Sequence, residues 1–306
     1  MLPSNRSPLM RSKRFHAPVR VVRSLDAMQS LALAWKHEGQ RVGFVPTMGY
    51  LHRGHISLVE RARRWAGPAG KVVVSIYVNP TQFAQNEDLG KYPRDFPRDL
   101  DLCAAAGADV VFAPRDGAMY SGGQPEVHST WVIEDTLSAG LEGRSRPTHF
   151  RGVTTVVAKL FNLVLPDVAV FGAKDFQQAA VIQRMAANLN FPVRIIVAPT
   201  VREPDGVAMS SRNKYLTPAQ RDQAIVLSRL LIEARKRVRA STTGLDPIRL
   251  REALRPVAAV YPLARIDYLE FFDPRTLEEA DLVRRGTRMA VAAFLGDTRL
   301  IDNGPL

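Results

Sequence analysis

The 306 residues, of which 46% are hydrophobic and 24% charged, have the composition of an ordinary globular protein and a length that suits two domains. No apolar run approaches the roughly 20 residues needed to cross a membrane, so no membrane partner is expected. Cys103 is the single cysteine, which excludes an internal disulfide and agrees with a reducing, cytoplasmic location.

The net charge of +12 raises the question of nucleic acid as a partner. Half of the excess lies in residues 1–24, which contain six Lys or Arg and no acid. The other basic residues are interspersed with acids and no nucleic-acid-binding motif is found, so no such partner is expected. Residues 1–18 are predicted to be a basic, disordered extension, and a targeting peptide is the less favoured alternative.

From residue 21 onward, strand patterns and helical periodicity alternate along the chain. Helices are predicted over residues 24–38, 56–65, 98–106, 152–165 and 176–189. Short apolar strands are predicted over residues 42–45, 72–78, 109–112, 167–171 and 193–197. This alternation predicts an α/β fold with a Rossmann-like, doubly wound parallel sheet over residues 19–200, and ligands gather beyond the carboxyl ends of such strands.

The pattern changes after residue 200. Two helices are predicted over residues 217–239 and 247–261, the first of them opened by Thr217 as cap and Pro218 as first residue. Strands are predicted over residues 266–272, 289–294 and 300–301. These elements predict a smaller C-terminal α+β domain over residues 201–306.

The stretch from residue 44 to 59 has the layout of a phosphate site. An apolar strand leads into a loop with Gly49 and Gly54, and a helix begins beside His52 and His55. Glycines let a ligand approach the backbone, and free N–H groups at a helix start favour negative charge. The alternative is a metal site built on the two histidines. Its third ligand would be a carboxylate or one of His16, His37, His128, His149 and Cys103.

Polar residues also follow three other predicted strands. Gln82 follows the second strand, and a neutral amide suits a small hydroxy acid because it both donates and accepts. Lys174 follows the strand 167–171 as a point charge for phosphate, and Gln178 lies one helical turn further on. The segment 209–213 offers serine hydroxyls and an arginine fork that can close on a polyphosphate. Each signal is weak by itself.

Taken together, these segments resemble the pantothenate synthetase (pantoate–β-alanine ligase) family, whose signature loop combines Pro-Thr-Met-Gly with His-x-Gly-His. Here that loop occupies residues 46–55. Other family blocks match in order, and the likeness covers roughly residues 21–306. The matching blocks are Asn79-Pro80-Thr81-Gln82-Phe83, Tyr92-Pro93-Arg94, Glu142-Gly143-Arg144, His149-Phe150-Arg151-Gly152-Val153, Gly172-Ala173-Lys174-Asp175-Phe176-Gln177-Gln178 and Met209-Ser210-Ser211-Arg212-Asn213.

The resemblance implies a two-step ligation with ATP as substrate. Pantoate would attack the α-phosphate to give pantoyl adenylate and pyrophosphate, and β-alanine would then displace AMP. Such a reaction depends on positioning and charge neutralisation rather than on a protein nucleophile. Mg²⁺ would be held mainly by the ATP phosphates, with no protein metal ligand assigned, and the enzyme would be a homodimer.

The resemblance also implies roles for individual residues. His52, His55, Lys174 and Arg212 would be catalytic. Gln82 and Gln178 would bind pantoate, and Gln82 would also lie near β-alanine. The ATP-binding residues would be Met48, Gly49, Tyr50, Leu51, His52, Arg53, Gly54, His55, Gly172, Ala173, Lys174, Asp175, Val201, Met209, Ser210, Ser211 and Arg212.

Three residues depart from the family pattern. Tyr50 replaces a small residue and is expected to crowd the loop or cover the cleft. Arg53 stands where an acid is frequent, so it is expected to add positive charge near the phosphates. Arg98 replaces a carboxylate and leaves Asp99 beside it. Two competing functions remain open, another adenylyltransferase of the same fold and, as the weaker one, a basic nucleic-acid-binding protein.

Overall fold

A computed structural model of the chain describes residues 19–84, 87–120 and 127–306. The predicted disordered extension, residues 1–18, lies outside the described residues. The helices are α1 (Leu25–His37), α2 (Arg53–Ala66), α3 (Phe96–Ala105), α4 (Asp116–Met119), α5 (Glu142–Ser145), α6 (His149–Val164), α7 (Phe176–Asn188), α8 (Pro218–Gln223), α9 (Val226–Ala240) and α10 (Pro247–Ala259). The strands are β1 (Arg20–Val22), β2 (Val42–Thr47), β3 (Lys71–Ile76), β4 (Val110–Phe112), β5 (Val168–Gly172), β6 (Arg194–Ala198), β7 (Ala264–Phe272), β8 (Arg288–Leu295) and β9 (Thr298–Pro305).

The first six strands form one parallel sheet in the order β1-β4-β3-β2-β5-β6. Its two faces are both covered, because successive side chains of a strand point to opposite sides. In β2, Phe44 packs with α1, α6 and α7, whereas the next residue, Val45, packs with α2 and α3. The predicted doubly wound parallel sheet is therefore confirmed.

The last three strands form a separate antiparallel sheet in the order β7-β8-β9. Helices α9 and α10 cover it, and Leu230, Leu254 and Val291 belong to its own hydrophobic core. The α+β character predicted for the C-terminal part is confirmed.

Two predicted elements of this part are wrong in their extent. The helix predicted over residues 217–239 is interrupted at Ala224 and Ile225, whose ψ angles of −18° and −19° have tightened toward 3₁₀ geometry. The N–H of Ala224 is shared between the carbonyls of Gln220 and Arg221. The strand predicted over residues 300–301 extends over all of β9, because its full length pairs with β8.

The sheet order explains how distant motifs meet. Strands β3, β2, β5 and β6 are consecutive neighbours in the sheet. Each leads at its carboxyl end into a segment singled out in the sequence: residues 77–83, 48–52, 173–178 and 199–213 respectively. Parallel strands end at the same edge, so these four segments converge on one side of the sheet.

Candidate active site

A cleft of about 1220 Å³ lies at this edge of the parallel sheet and reaches the C-terminal sheet at Arg299 and Ile301. It brings most of the predicted site residues together. Those lining it are Met48, His52, Gly54, His55, Gln82, Gly172, Lys174, Asp175, Gln178, Val201, Met209, Ser210, Ser211 and Arg212.

Five predicted ATP-binding residues do not line the cleft: Gly49, Tyr50, Leu51, Arg53 and Ala173. Leu51 is only 1% exposed and belongs to the core. Arg53 forms an ion pair with Glu60 at 2.7 Å on the exposed side of α2. Contrary to expectation, its charge therefore lies outside the cleft. Any contact of these five residues with ATP would have to come from the backbone or from a different side-chain arrangement.

The signature loop is held by a carboxylate of α3. Asp99, 1% exposed, accepts hydrogen bonds from the backbone N–H groups of Tyr50 and Leu51, each at 2.7 Å. The loop needs this support because Gly49 and Tyr50 both have positive φ angles, of +83° and +49°. Sequence reasoning missed this role, and the one signal was that Asp99 is the acid left beside Arg98.

The two histidines cap the start of α2 through their Nδ1 atoms. His52 Nδ1 accepts from Gly54 N–H at 3.1 Å, and His55 Nδ1 accepts from His52 N–H at 3.3 Å. An Nδ1 atom that accepts a hydrogen bond carries no proton, so each neutral ring carries its proton on Nε2. The rings lie close together, with centroids 4.0 Å apart. Each histidine therefore has an Nε2–H donor that the helix cap does not use.

Both histidines are neutral at physiological pH. Burial, and then the Lys174 ammonium, lower the pKa of His52 to about 4. Burial, His52 and Lys174 lower the pKa of His55 well below its usual value. Each ring therefore carries a neutral N–H donor, and Lys174 places a positive charge close to both rings.

Stability is expected to fall as the pH drops from 6.5 toward 4. His52, His55 and His149 have depressed pKa values in the fold, so the unfolded chain binds more protons than the folded chain in this range. Their contribution is complete above pH 6.5 and is lost as the pH approaches their folded pKa values. Urea unfolding between pH 6.5 and about pH 5, above the range where most carboxylates titrate, measures it. A constant unfolding free energy would contradict the assignment.

A second part of the cleft is built around Gln82, which is 9% exposed. Its Oε1 accepts from Asn79 Nδ2 at 3.2 Å, and its Nε2 lies 3.0 Å from the sulfur of Met48. Asn79 also donates to the carbonyl of Gly152 at 3.1 Å and accepts from Tyr120. The Gln82 amide is thus held in one orientation, with its N–H₂ on the Met48 side. Asn79, which the sequence analysis names only as part of a family block, is the residue that fixes it.

Glu87, Arg146 and His149 form a chain of contacts that ends at the backbone carbonyl of Gln82. Arg146 forms an ion pair with Glu87 at 2.6 Å and approaches His149 Nε2 at 3.2 Å. Arginine only donates hydrogen bonds, so His149 accepts at Nε2. Its Nδ1 therefore donates to the backbone carbonyl of Gln82 at 2.9 Å. Burial and Arg146 lower the pKa of His149 to about 4, which keeps it neutral. His149 therefore has a supporting role, and not the metal-ligand role considered in the sequence.

Adjacent glutamines on α7 have different roles. Gln178 lines the cleft, as predicted. Gln177 is buried, accepts from Glu142 N–H at 3.0 Å and donates to the carbonyls of Leu137 and Gly140. It fixes the segment before α5, so only Gln178 is free to face a substrate.

Lys174 and Arg212, the two cationic side chains predicted to bind phosphate, have carboxylate partners. Lys174 Nζ lies 3.4 Å from Asp175, and its backbone carbonyl accepts from Asn303 Nδ2 at 2.6 Å. Arg212 forms two hydrogen bonds to Asp88, at 2.9 and 3.0 Å. Asp88 thus holds the guanidinium at the wall of the cleft.

The described part of the chain, residues 19–84, 87–120 and 127–306, contains no group of three His, Cys, Asp or Glu residues arranged to hold a metal ion. The Nδ1 atoms of His52 and His55 already accept backbone hydrogen bonds. In the same described ranges, no helix is long and apolar enough to cross a membrane.

Gly152→Ala is expected to disturb the Gln82 end of the cleft. A Cβ at Gly152 would lie 2.7 Å from Gln82 N and closer still to Thr81 O, so α6 would have to move away from that turn. Overpacking of this kind costs roughly 1–3 kcal/mol. Thermal unfolding and the KM for pantoate measure the effect. Gly140→Ala is the control, because a Cβ there meets nothing within 4 Å.

If both glycine variants had the same stability and KM, the close packing of α6 against the Gln82 turn would not matter. An effect restricted to Gly152→Ala is what the contact predicts.

The parallel sheet, the glycine-containing turn into α2 and the cationic cleft define an α/β enzyme that acts on a nucleotide. Comparisons with known proteins are more specific. The model of the pantoate-β-alanine ligase family matches residues 20–305. The chain therefore belongs to the pantoate–β-alanine ligase family, and its activity is the ligation of pantoate with β-alanine in pantothenate biosynthesis.

Relatives and solved structures agree with this assignment. The chain is 48% identical over 284 residues to the pantothenate synthetase of Sulfurihydrogenibium sp., covering 92% of this chain and 98% of the relative. It is 50% identical over 285 residues to that of Koribacter versatilis, covering 93% and 95%. The crystal structure of the Thermus thermophilus enzyme has a TM-score of 0.83 at 44% identity, covering 94% of this chain and 99% of that one.

A second crystal structure includes ligands. The pantoate-β-alanine ligase of Francisella tularensis, complexed with Beta-gamma ATP and β-alanine, has a TM-score of 0.71 at 30% identity and covers 94% and 97% of the two chains.

Proposed function

We propose that the ligation proceeds through a pantoyl adenylate formed in the cleft described above. A pantoate carboxylate oxygen bonds to the α-phosphorus of ATP as the bond to pyrophosphate breaks. The amine of β-alanine then bonds to the acyl carbon, loses a proton, and AMP departs. One observation carries this proposal: a single cleft holds the neutral donors of His52 and His55, the cation of Lys174 and the oriented amide of Gln82.

The phosphates are proposed to lie at the signature-loop end. His52 and His55 would donate from Nε2 to the α-phosphate and to the departing pyrophosphate, where negative charge increases during the reaction. Lys174 would neutralise the α-phosphate. Arg212 would hold the outer phosphates after exchanging Asp88 for a phosphate oxygen, since one guanidinium fork cannot serve both fully.

The remaining ATP contacts are proposed from the lining of the cleft. Gly172 and Asp175 would hold the ribose side of the nucleotide, and Val201 would contact adenine. Ser210 and Ser211 line the cleft next to Arg212. Ser210 would donate its hydroxyl to the outer phosphates, and Ser211 would do so after releasing the Tyr50 carbonyl, because a hydroxyl has one proton to donate.

Pantoate is proposed to lie between Gln82 and Gln178. Both amides line the cleft, and Gln82 is held in place by Asn79. A neutral amide can donate to a carboxylate and accept from a hydroxyl without adding charge near the reacting oxygen. β-Alanine would enter beside Gln82 once the adenylate has formed.

Mg²⁺ is proposed to be coordinated mainly by the triphosphate, whose oxygens suit a hard cation. We also propose that the enzyme is a cytoplasmic homodimer of the family type. Its first domain, residues 19–200, would bind nucleotide and pantoate, and its second, residues 201–306, would contribute the segment with Met209 and Arg212.

Pyrophosphate release tests the proposal. With ATP, Mg²⁺ and pantoate but without β-alanine, the enzyme is expected to release close to one pyrophosphate per site, because the adenylate stays bound. Adding β-alanine should give continuous release together with AMP and pantothenate. Absence of release with pantoate under both conditions would overturn the adenylate route.

The same assay tests the first competing function, and a binding measurement tests the second. An adenylyltransferase that makes a dinucleotide would need a nucleotide in place of pantoate. A nucleic-acid-binding protein would show steeply salt-dependent affinity that removal of residues 1–24 abolishes.

A further inference from the structure

We propose that Tyr50 is a positioning residue that holds the segment of residues 209–215, here called the 209–215 loop, in place before ATP binds. Its side chain does not line the cleft. Its contacts instead join the signature loop to the 209–215 loop, which carries Ser210, Ser211 and Arg212. The inference rests on the proposed ATP site, because those three residues line it.

The backbone of Tyr50 is the first link. Its N–H donates to Asp99 at 2.7 Å, so the residue is anchored to α3 despite a φ angle of +49°. Its carbonyl accepts a hydrogen bond from the Ser211 hydroxyl at 3.2 Å. This bond spans 161 residues of sequence and connects the two segments that flank the phosphate end of the cleft.

The aromatic ring of Tyr50 is the second link. The ammonium of Lys214, in the 209–215 loop, lies 4.1 Å from the ring centroid. The guanidinium of Arg98 lies 5.6 Å from it and donates to the Leu51 carbonyl at 2.9 Å. A cation at such a distance is attracted by the π face. Within the described residues neither cation forms an ion pair. Arg98 also acts on the Asp99 carboxylate, so the contact that joins the two loops through the ring is that of Lys214.

Holding the 209–215 loop in advance has a consequence for ATP binding. A segment ordered before the ligand arrives does not have to be ordered at the expense of binding free energy. Losing the link should therefore raise the KM for ATP more than it lowers kcat, because the loop still closes once ATP is bound.

The test compares Tyr50→Phe, which keeps the aromatic ring, with Tyr50→Leu, which removes it at the same backbone conformation. Without ATP, Tyr50→Leu should accelerate amide hydrogen exchange in residues 209–215 about fivefold and raise the KM for ATP about fivefold, which corresponds to roughly 1 kcal/mol. Helix α9 should exchange unchanged and serves as the internal reference. Tyr50→Phe should restore values close to those of the unmodified enzyme.

Lys214→Met tests the same link from an exposed position, where a folding defect is not expected. It should reproduce the Tyr50→Leu effects, and the double variant should add little to either single one. If Tyr50→Leu and Lys214→Met left exchange and the KM for ATP unchanged, the inference would be overturned. Failure of the unmodified enzyme to release pyrophosphate would instead overturn the proposed function. The hydrogen-exchange data would still show whether Tyr50 holds the 209–215 loop.

Discussion

Replacing His55 with alanine is expected to lower the rate of adenylate formation by about 10²–10³-fold while changing ATP affinity far less. The Nε2–H of His55 would donate most strongly when charge accumulates on the phosphate oxygens in the transition state. Rapid-quench measurement of pyrophosphate formation and equilibrium binding of ATP separate the two effects. Equal losses in both would assign His55 a plain binding role.

A matched pair of variants tests which nitrogen matters. In His55→Gln the amide nitrogen can reach the former Nε2 position, so a donor toward the phosphates is retained. In His55→Asn the shorter amide can accept the helix-cap bond from His52 N–H but reaches no further. The His55→Gln variant should therefore retain more adenylation activity than His55→Asn. The His55→Asn variant should retain the higher free energy of unfolding. His37→Ala, at an exposed position in the last turn of α1, is the control.

The prediction would be contradicted if the His55→Asn variant were more active than His55→Gln. In that case the capping geometry of Nδ1, rather than donation from Nε2, would set the rate.

The parallel sheet was predictable because its strands are buried on both faces. Residues 72–74 are three consecutive valines with no exposed surface, and such a run has no alternation that would suggest a half-exposed strand. The interruption between α8 and α9 was not predictable in this way. The apolar spacing continues through Ala224 and Ile225, and only the shared hydrogen bond of Ala224 ends the first helix.

The motif residues of the cleft were predictable for a related reason. His55, Gln82, Lys174 and Arg212 each follow a parallel strand, and those strands proved to be neighbours, so a rule about strand ends was sufficient. Arg53 shows the limit of that rule. It lies within the same motif, but helical geometry turns it toward Glu60 and away from the cleft.

The residues that hold the motif side chains in place were missed. Asp99 and Arg146 act on partners that are distant in sequence: Asp99 binds amides 48 and 49 residues away, and Arg146 pairs with Glu87. Nothing in the local pattern indicates such partners. A single sequence therefore predicts which groups could contact a substrate better than it predicts which groups orient them.

Asp99→Ala is expected to reduce both stability and activity. The substitution would leave the N–H groups of Tyr50 and Leu51 without their acceptor, and each unsatisfied buried donor costs about 1–3 kcal/mol. The free energy of unfolding should therefore fall by roughly 2–6 kcal/mol. Urea denaturation at neutral pH measures this loss.

Adenylation activity should fall together with stability. The two amides bound by Asp99 belong to Tyr50 and Leu51, which directly precede His52 and so determine where its side chain lies. A displacement of about 1 Å in a positioning group can cost about 10²-fold in rate, so adenylation should drop by that order even in protein that remains folded. Restoring stability with a saturating concentration of ATP should not restore the rate if the histidines are misplaced.

Asp95→Ala is the matched control on the same helix. Asp95 caps α3 by accepting from Arg98 N–H at 3.3 Å, and its loss should cost about 1 kcal/mol without affecting adenylation. If Asp99→Ala lost no more stability than Asp95→Ala and kept its rate, the signature loop would hold its positive φ angles unaided. The expected difference between the two acids follows from their partners: Asp95 satisfies one exposed helix end, whereas Asp99 fixes the loop from which both histidines reach the cleft.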